Sequence, residues 1–308
     1  MNNIALYVAA VLIWGSTWFV IKFQLGVVDP VLSVSYRFFI AAGLMFVLAL
    51  VMGWLRDYRF TRREMAFVAL QGCTLFFLNY WLTYSATGYM TSGIVAVCFS
   101  LITVMNIFNQ RLFFGIPLRP LVVIGSLLGV IGIVCVFWPE MKAVGVGGDA
   151  ITGMILCVIG TAVASLGNMA SYRNSRAGLP IFMTNCYAMG FGALFSLIAA
   201  LGSGAPLVFD YSFDYIWSLL YLAVFGSVVA FVSYLTLLAR IGADRAGYAG
   251  VLVPIVALAI STVFEDYQWS LLSAGGVALI IIGNVLALVN FKKGIPTSSL
   301  GAVSGSPK

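Results

Sequence analysis

Histidine is absent from all 308 residues, and acidic side chains are few, with 10 Asp and Glu against 16 Lys and Arg. Without an imidazole, the Ser-His-Asp and Cys-His arrangements of nucleophilic catalysis are excluded, and so is the commonest transition-metal ligand. The cysteines Cys73, Cys98, Cys135, Cys157 and Cys186 all lie inside apolar runs and none has CxxC spacing. They read as small buried hydrophobes, with no disulfide framework or metal centre expected. No cofactor motif stands out either, since Gly145-Val-Gly147-Gly148 follows no strand and lacks a P-loop lysine. Charge of both signs is scarce, at 8% of residues against 62% hydrophobic, and the mean hydropathy is +1.07. That balance excludes a water-soluble domain and makes the lipid bilayer the main solvent. The formal net charge of +6 does not imply nucleic acid, because the basic residues are scattered between apolar runs instead of forming one stripe.

About 20 apolar residues cross a hydrocarbon core. On that measure the chain is expected to be an all-α polytopic membrane protein with ten spans, near 4–21, 31–54, 65–84, 91–114, 121–138, 151–171, 181–202, 214–238, 246–264 and 270–291. The first run has no basic stretch before it and is long enough to span, so it reads as an uncleaved helix. Alternate loops carry Arg56, Arg59, Arg62 and Arg63, then Arg111 and Arg119, Arg173 and Arg176, Arg240 and Arg245, and finally Lys292, Lys293 and Lys308. Only Lys22 and Lys142 fall on the opposite side, and Arg37 lies within the second span. Because positive loops stay in the cytoplasm, both termini are expected there. Residues 294–308, rich in Gly, Ser and Pro, read as a disordered tail.

Shifting the chain against itself by about 150 residues brings similar features together, the mark of an internal repeat. Gly125 and Gly132 meet Gly276 and Gly283, and Ser33-Val-Ser-Tyr36 meets Thr184-Asn-Cys-Tyr187. The expected organisation is a first five-helix half, 1–149, and a second, 150–293. An odd number of spans per half inverts the second half, the arrangement of secondary carriers whose site lies at the midplane between repeats.

Several short motifs, in order, point to a known family. They are Trp14-Gly-Ser-Thr17, Arg37-Phe38 with Ala41-Ala42, Gly125-xxx-Gly129-xx-Gly132, and Leu252-Val-Pro254 followed by Phe264-Glu265. Across 1–293 the chain resembles the drug/metabolite transporter superfamily, EamA type, and within it looks most like the YddG-type exporters of aromatic and other amino acids. The resemblance implies a bacterial cytoplasmic membrane carrier, not an enzyme, with no cofactor and with small-molecule substrates. One departure is that span four has Ser100-Leu-Ile-Thr103 where the family often has proline, which leaves any kink there without its usual cause. Pro254 in span nine reads as a hinge.

Polar residues inside spans are expensive and mark candidate pathways. Trp14 and Trp18 share a face of span one beside Ser16, and Tyr36 and Arg37 sit in span two. Span three offers Asn79, Tyr80 and Tyr84, while the second half offers Asn168, Tyr172, Asn185, Tyr187 and Tyr234. Aromatic walls with a few hydrogen-bonding groups suit amphipathic organic solutes. These residues are the expected substrate contacts, and Asn106, Asn109 and Gln110 are assigned to packing or the interface. Tyr7, Trp54, Trp217 and Trp269 read as interfacial anchors. No span contains Asp, Glu or His, so a proton relay has no obvious seat, and facilitated diffusion or exchange is the simpler expectation. The alternatives are an intramembrane enzyme, for which no paired carboxylate or Ser/His site is visible, a broad drug exporter on the same fold, or a nucleotide-sugar or sugar-phosphate carrier. The last should offer more than one deep cation, and only Arg37 is deep.

Overall fold

The computed structural model describes residues 2–54, 59–118, 120–144, 149–246 and 249–291. The expected tail, 294–308, and the 145–148 glycine run lie outside the described residues. Every regular element among them is helical. The first half holds α1 (Asn3–Val20), α2 (Pro30–Val51), α3 (Arg62–Gln71), α4 (Asn79–Thr87), α5 (Ser92–Phe99), α6 (Ile102–Phe114) and α7 (Pro120–Val144). The second half holds α8 (Asp149–Arg176), α9 (Ile181–Gly202), α10 (Phe213–Leu220), α11 (Ala230–Ala246), α12 (Ala249–Phe264) and α13 (Leu271–Phe291).

Local chemistry sets several starts. The Asp29 carboxylate accepts from the Val31 N–H, and Pro30 occupies the first turn of α2, where its missing N–H costs nothing. Thr61 and Glu64 form a reciprocal capping box at the start of α3. A π-helical stretch, Gly72–Leu78, joins α3 to α4, and a second, Tyr221–Val229, joins α10 to α11 at the matching place in the second half. In the second stretch Ser227 Oγ donates to the Leu222 carbonyl five residues back at 3.0 Å, a side-chain bond that follows the wider turn. Span four breaks between α5 and α6 without a proline. The Leu101 N–H turns to the Cys98 carbonyl at 3.1 Å, a tightened bond that re-aims α6.

Eight stretches are long and apolar enough to cross a membrane by length and composition: Asn3–Gln24, Pro30–Val51, Arg62–Thr87, Ser92–Phe114, Pro120–Pro139, Ile151–Arg176, Ile181–Gly202 and Phe213–Tyr234. The last two expected spans correspond to shorter apolar helices, Ala249–Phe264 and Leu271–Leu286. Lipid-facing positions remain apolar, as with Leu44, Val47 and Leu50 on α2 and Leu127 and Val134 on α7, all of them exposed. Outward-facing apolar side chains are what a bilayer solvent demands.

α7 and α13 form the tightest pair in the fold. A methyl on Gly132 would strike the Gly276 carbonyl, and one on Gly283 would strike the Gly125 carbonyl, so only glycine permits the approach. Since the contact advances along one helix as it retreats along the other, the two run antiparallel. A second crossing follows the same pattern between α2 and α9. Ser35 Oγ donates to the Ala193 carbonyl at 2.9 Å, and Cys186 Sγ lies 3.6 Å from the Ala42 carbonyl. α7 and α13 stand to one side, and the remaining spans enclose a central cavity.

Candidate functional site

The cavity has a volume of about 660 Å³ and follows helical periodicity on every wall. From α1 it takes Trp14, Thr17 and Trp18, then Ile21; from the α3–α4 span Phe76, Asn79, Tyr80 and Thr83; from α6 Thr103, Asn106 and Gln110. Steps of three and four keep each set on one helix face. The second half adds Asn168, Ser171, Tyr172, Thr184, Asn185, Phe231, Tyr234 and Pro254.

Aromatic rings form one side. Trp14 lies edge-on to Phe231 with centroids 5.4 Å apart and touches Tyr234 at 5.2 Å, while its indole N–H donates to the Gly226 carbonyl at 3.3 Å. Trp18 packs on Phe99 at 5.1 Å. Neutral amides form another side. Asn168 Nδ2 donates to Asn106 Oδ1 at 3.3 Å, and Thr83 Oγ1 to Asn79 Oδ1 at 3.4 Å. Asn185 accepts from Gln71 Nε2 at 2.9 Å, and Gln71 in turn accepts from Asn174 at 3.1 Å.

Arg37 belongs to this wall and is 2% exposed. It turns inward and does not reach back to Asp29. Its Nε donates to Ser227 Oγ at 3.2 Å and its Nη1 to the Tyr84 hydroxyl at 3.2 Å, with the guanidinium 4.7 Å from the Tyr80 ring centre. Both hydrogen-bond partners are neutral. Among the described residues the ion pair found is Lys22 with Glu265, so Arg37 has no carboxylate partner.

Ten of the residues expected from sequence therefore meet on the cavity: Trp14, Trp18, Arg37, Asn79, Tyr80, Asn168, Tyr172, Asn185, Tyr234 and Pro254. Four stand off it. Ser16 is one position out of phase and shares a hydrogen bond with the Tyr221 hydroxyl at 2.7 Å. Tyr36, about 100° round the helix from Arg37, donates to the Val208 carbonyl at 3.1 Å. Tyr187, two positions beyond Asn185 and about 200° round the helix from it, packs on Phe60 at 5.3 Å. Tyr84 is fully buried behind Arg37, which it holds. Conversely, Asn106 and Gln110, assigned to packing from sequence, line the cavity. With Thr103 they form an i, i+3, i+7 stripe, a signal that was available in the sequence.

The two ends differ. At one, the lining reaches the exposed Ser175 and Ile181, beside the ends of α6, α8, α9 and α12. At the other it stops at Ile21, Thr83 and Ala96, and a plug of α1, α5 and α12 lies beyond. There Lys22 Nζ meets Glu265 Oε1 at 2.6 Å, and the Glu265 side chain is 4% exposed. The same carboxylate accepts from the Ser92 N–H at 3.1 Å and from the Ser92 hydroxyl, which caps α5. Burial alone would raise the Glu265 carboxyl, but the bonds from Lys22 and Ser92 outweigh it and hold it below the ordinary range. Directly beneath, a methyl on Gly93 would overlap Ser261 and Leu258, so α5 and α12 touch backbone to backbone.

An all-helical, multi-pass membrane chain folded round a solute-sized cavity, plugged at one end, is a membrane transporter. The chain belongs to the EamA-like transporter family, whose pattern matches it twice, over residues 1–138 and 151–289. It is 29% identical over 257 residues to the inner membrane transporter YedA of Escherichia coli, covering 82% of this chain and 80% of that one. Transporter YvbV of Bacillus subtilis is 25% identical, covering 92% and 89%. A transporter of Clostridium kluyveri is 24% identical, covering 88% and 87%. A protein crystal structure superposes with a TM-score of 0.66 at 19% identity, covering 94% of this chain and 97% of that one, a likeness of fold.

Proposed function

We propose that the chain is a ten-span carrier of two inverted five-helix halves, 1–149 and 150–293. It exports amino acids, aromatic ones included, and similar small amphipathic metabolites from the bacterial cytoplasm by alternating access, as a YddG-type exporter would. The observation that carries this reading is the cavity of about 660 Å³, aromatic on one side and amide-lined on another, reaching one end of the bundle only. Inversion is supported by the antiparallel α7 and α13, which occupy equivalent places in the two halves. The α2–α9 crossing supports it too, because the shift that pairs Ser35 with Cys186 also pairs Ala193 with Ala42. α12 has 16 residues, about 24 Å of helix, and crosses a slightly thinned bilayer as the ninth span.

The cavity opens at the end that carries the arginine-rich loops, so with both termini in the cytoplasm this is an inward-facing state. Lys22, Ser92 and Glu265 then close the outer side. The solute lays its ring on Trp14, Phe231 and Tyr234, hydrogen-bonds Asn79, Asn106 and Asn168, and presents its carboxylate to Arg37, while Pro254 serves as a hinge. Transport is by facilitated diffusion or exchange, since no span offers a carboxylate or imidazole relay. Counterflow in proteoliposomes, over a panel of amino acids, sugar phosphates and organic cations, tests the reading. Exchange of aromatic amino acids is expected. Exchange confined to sugar phosphates, or none with any solute, would remove it.

A further inference from the structure

Among the described residues the cavity lining holds a cation and no anion: Arg37, four Asn side chains, Gln110 and several hydroxyls, with no aspartate or glutamate. Five N–H donors project from a guanidinium, and two of the Arg37 donors are engaged, on the neutral Ser227 and Tyr84 hydroxyls. A charge 98% buried with neutral partners is incompletely compensated. A carboxylate completes it, because the planar fork takes two oxygens at once. The flat face of the same group is already held against Tyr80, so the fork's edge is the part left to bind.

A solute ammonium has no such reward. It loses its hydration on entry, meets no carboxylate on the wall, and shares a low-dielectric space with the Arg37 charge. The neutral acceptors are largely engaged with one another, as in the Asn106–Asn168 and Asn79–Thr83 pairs. The exception is Gln110 Oε1, buried and without a hydrogen-bond partner, at the open end of the cavity. It suits a neutral N–H or O–H at the far end of the solute.

We propose that the preferred solutes are aromatic monocarboxylates, held through Arg37, and that an amine on the solute weakens binding. The inference rests on the carrier reading and, among the solutes that reading allows, ranks the amphipathic acids above the amino acids. A matched trio tests it: 3-phenylpropionate, phenylalanine and phenethylamine share ring and chain length and differ in which charged groups they carry. Each competes against a radiolabelled aromatic counterflow substrate in proteoliposomes of the full chain, and its binding is read separately by intrinsic tryptophan fluorescence. The expected order is 3-phenylpropionate at least tenfold tighter than phenylalanine, with phenethylamine weakest.

Arg37→Gln should erase the preference for the acid. Arg37→Lys, which keeps the charge but loses the fork, should retain part of it and guards against a folding defect in the first variant. Phenethylamine or phenylalanine binding as tightly as 3-phenylpropionate overturns the inference and leaves the carrier reading intact. So does a preference for the acid that survives in a folded Arg37→Gln protein. Absence of counterflow with every solute removes both readings together.

Discussion

Removing the Glu265 charge should open the plugged end, and the size of the effect follows from its surroundings. Glu265→Gln keeps the side-chain volume but gives up the 2.6 Å pair with Lys22 and the charge at the start of α5. Breaking a fully buried pair costs about 3–5 kcal/mol, and an exposed pair contributes about 0–1 kcal/mol. Here the acid is 4% exposed and the lysine 37%, so Lys22 can turn to water once released. An intermediate cost of about 1–3 kcal/mol falls on the closed arrangement alone, a shift of about 5- to 150-fold toward opening. A cysteine at Ile21, 3% exposed at the inner limit of the plug, reports it in a background lacking the native cysteines. With an impermeant thiol reagent supplied from the plugged side, Ile21→Cys should label at least fivefold faster when Glu265→Gln is added. The exchange Lys22→Glu with Glu265→Lys should restore closure only in part, since a lysine cannot cap the Ser92 N–H. Unchanged labelling in Glu265→Gln would refute the latch.

The lowered Glu265 carboxyl sets the sign of a pH effect. Its contribution to closure is complete above the ordinary value of 4.5 and is lost as pH falls through the lowered one, so Ile21→Cys labelling should accelerate in acid and Glu265→Gln should flatten the profile. Gly132→Ala places a methyl against the Gly276 carbonyl, an overpacking expected to cost about 1–3 kcal/mol and to lower the thermal midpoint without altering solute preference. Tyr84→Phe withdraws a hydroxyl from a charged donor, about 1.5–3 kcal/mol, and should weaken acid binding more than a ring-only solute in the fluorescence titration. In intact cells, Arg59→Cys should be protected from the impermeant reagent and Tyr211→Cys reached by it; the reverse pattern would invert the ten-span map.

The parts of this molecule that obey a period were legible in its sequence. Apolar run lengths located the helices, and the four-residue step from Trp14 to Trp18 puts both indoles on the cavity wall. What escaped was phase and partnership. Tyr36 and Tyr187 lie well inside their spans, yet about 100° of helix rotation separates Tyr36 from Arg37 and about 200° separates Tyr187 from Asn185. Asn106 and Gln110 share an i, i+3, i+7 stripe with Thr103, but the stripe alone does not say whether it faces a cavity or a neighbouring helix.

The contact among Lys22, Ser92 and Glu265 was out of reach for a related reason, as the three residues lie far apart in the sequence and meet only in the fold. The two ends also differ in what holds them. The shift in sequence that pairs Ser35 with Cys186 carries Lys22 onto Arg173 and Glu265 onto Phe114. At the open end Arg173 lies 4.0 Å from the centre of the Phe67 ring, and Phe114 packs on Tyr172 at 4.8 Å. Of the two sets of positions that this shift relates, one carries a carboxylate and the other does not. The Lys22–Glu265 pair, with its dependence on charge and pH, therefore belongs to the plugged end, while the related positions at the opposite end make a cation–π contact and an aromatic one.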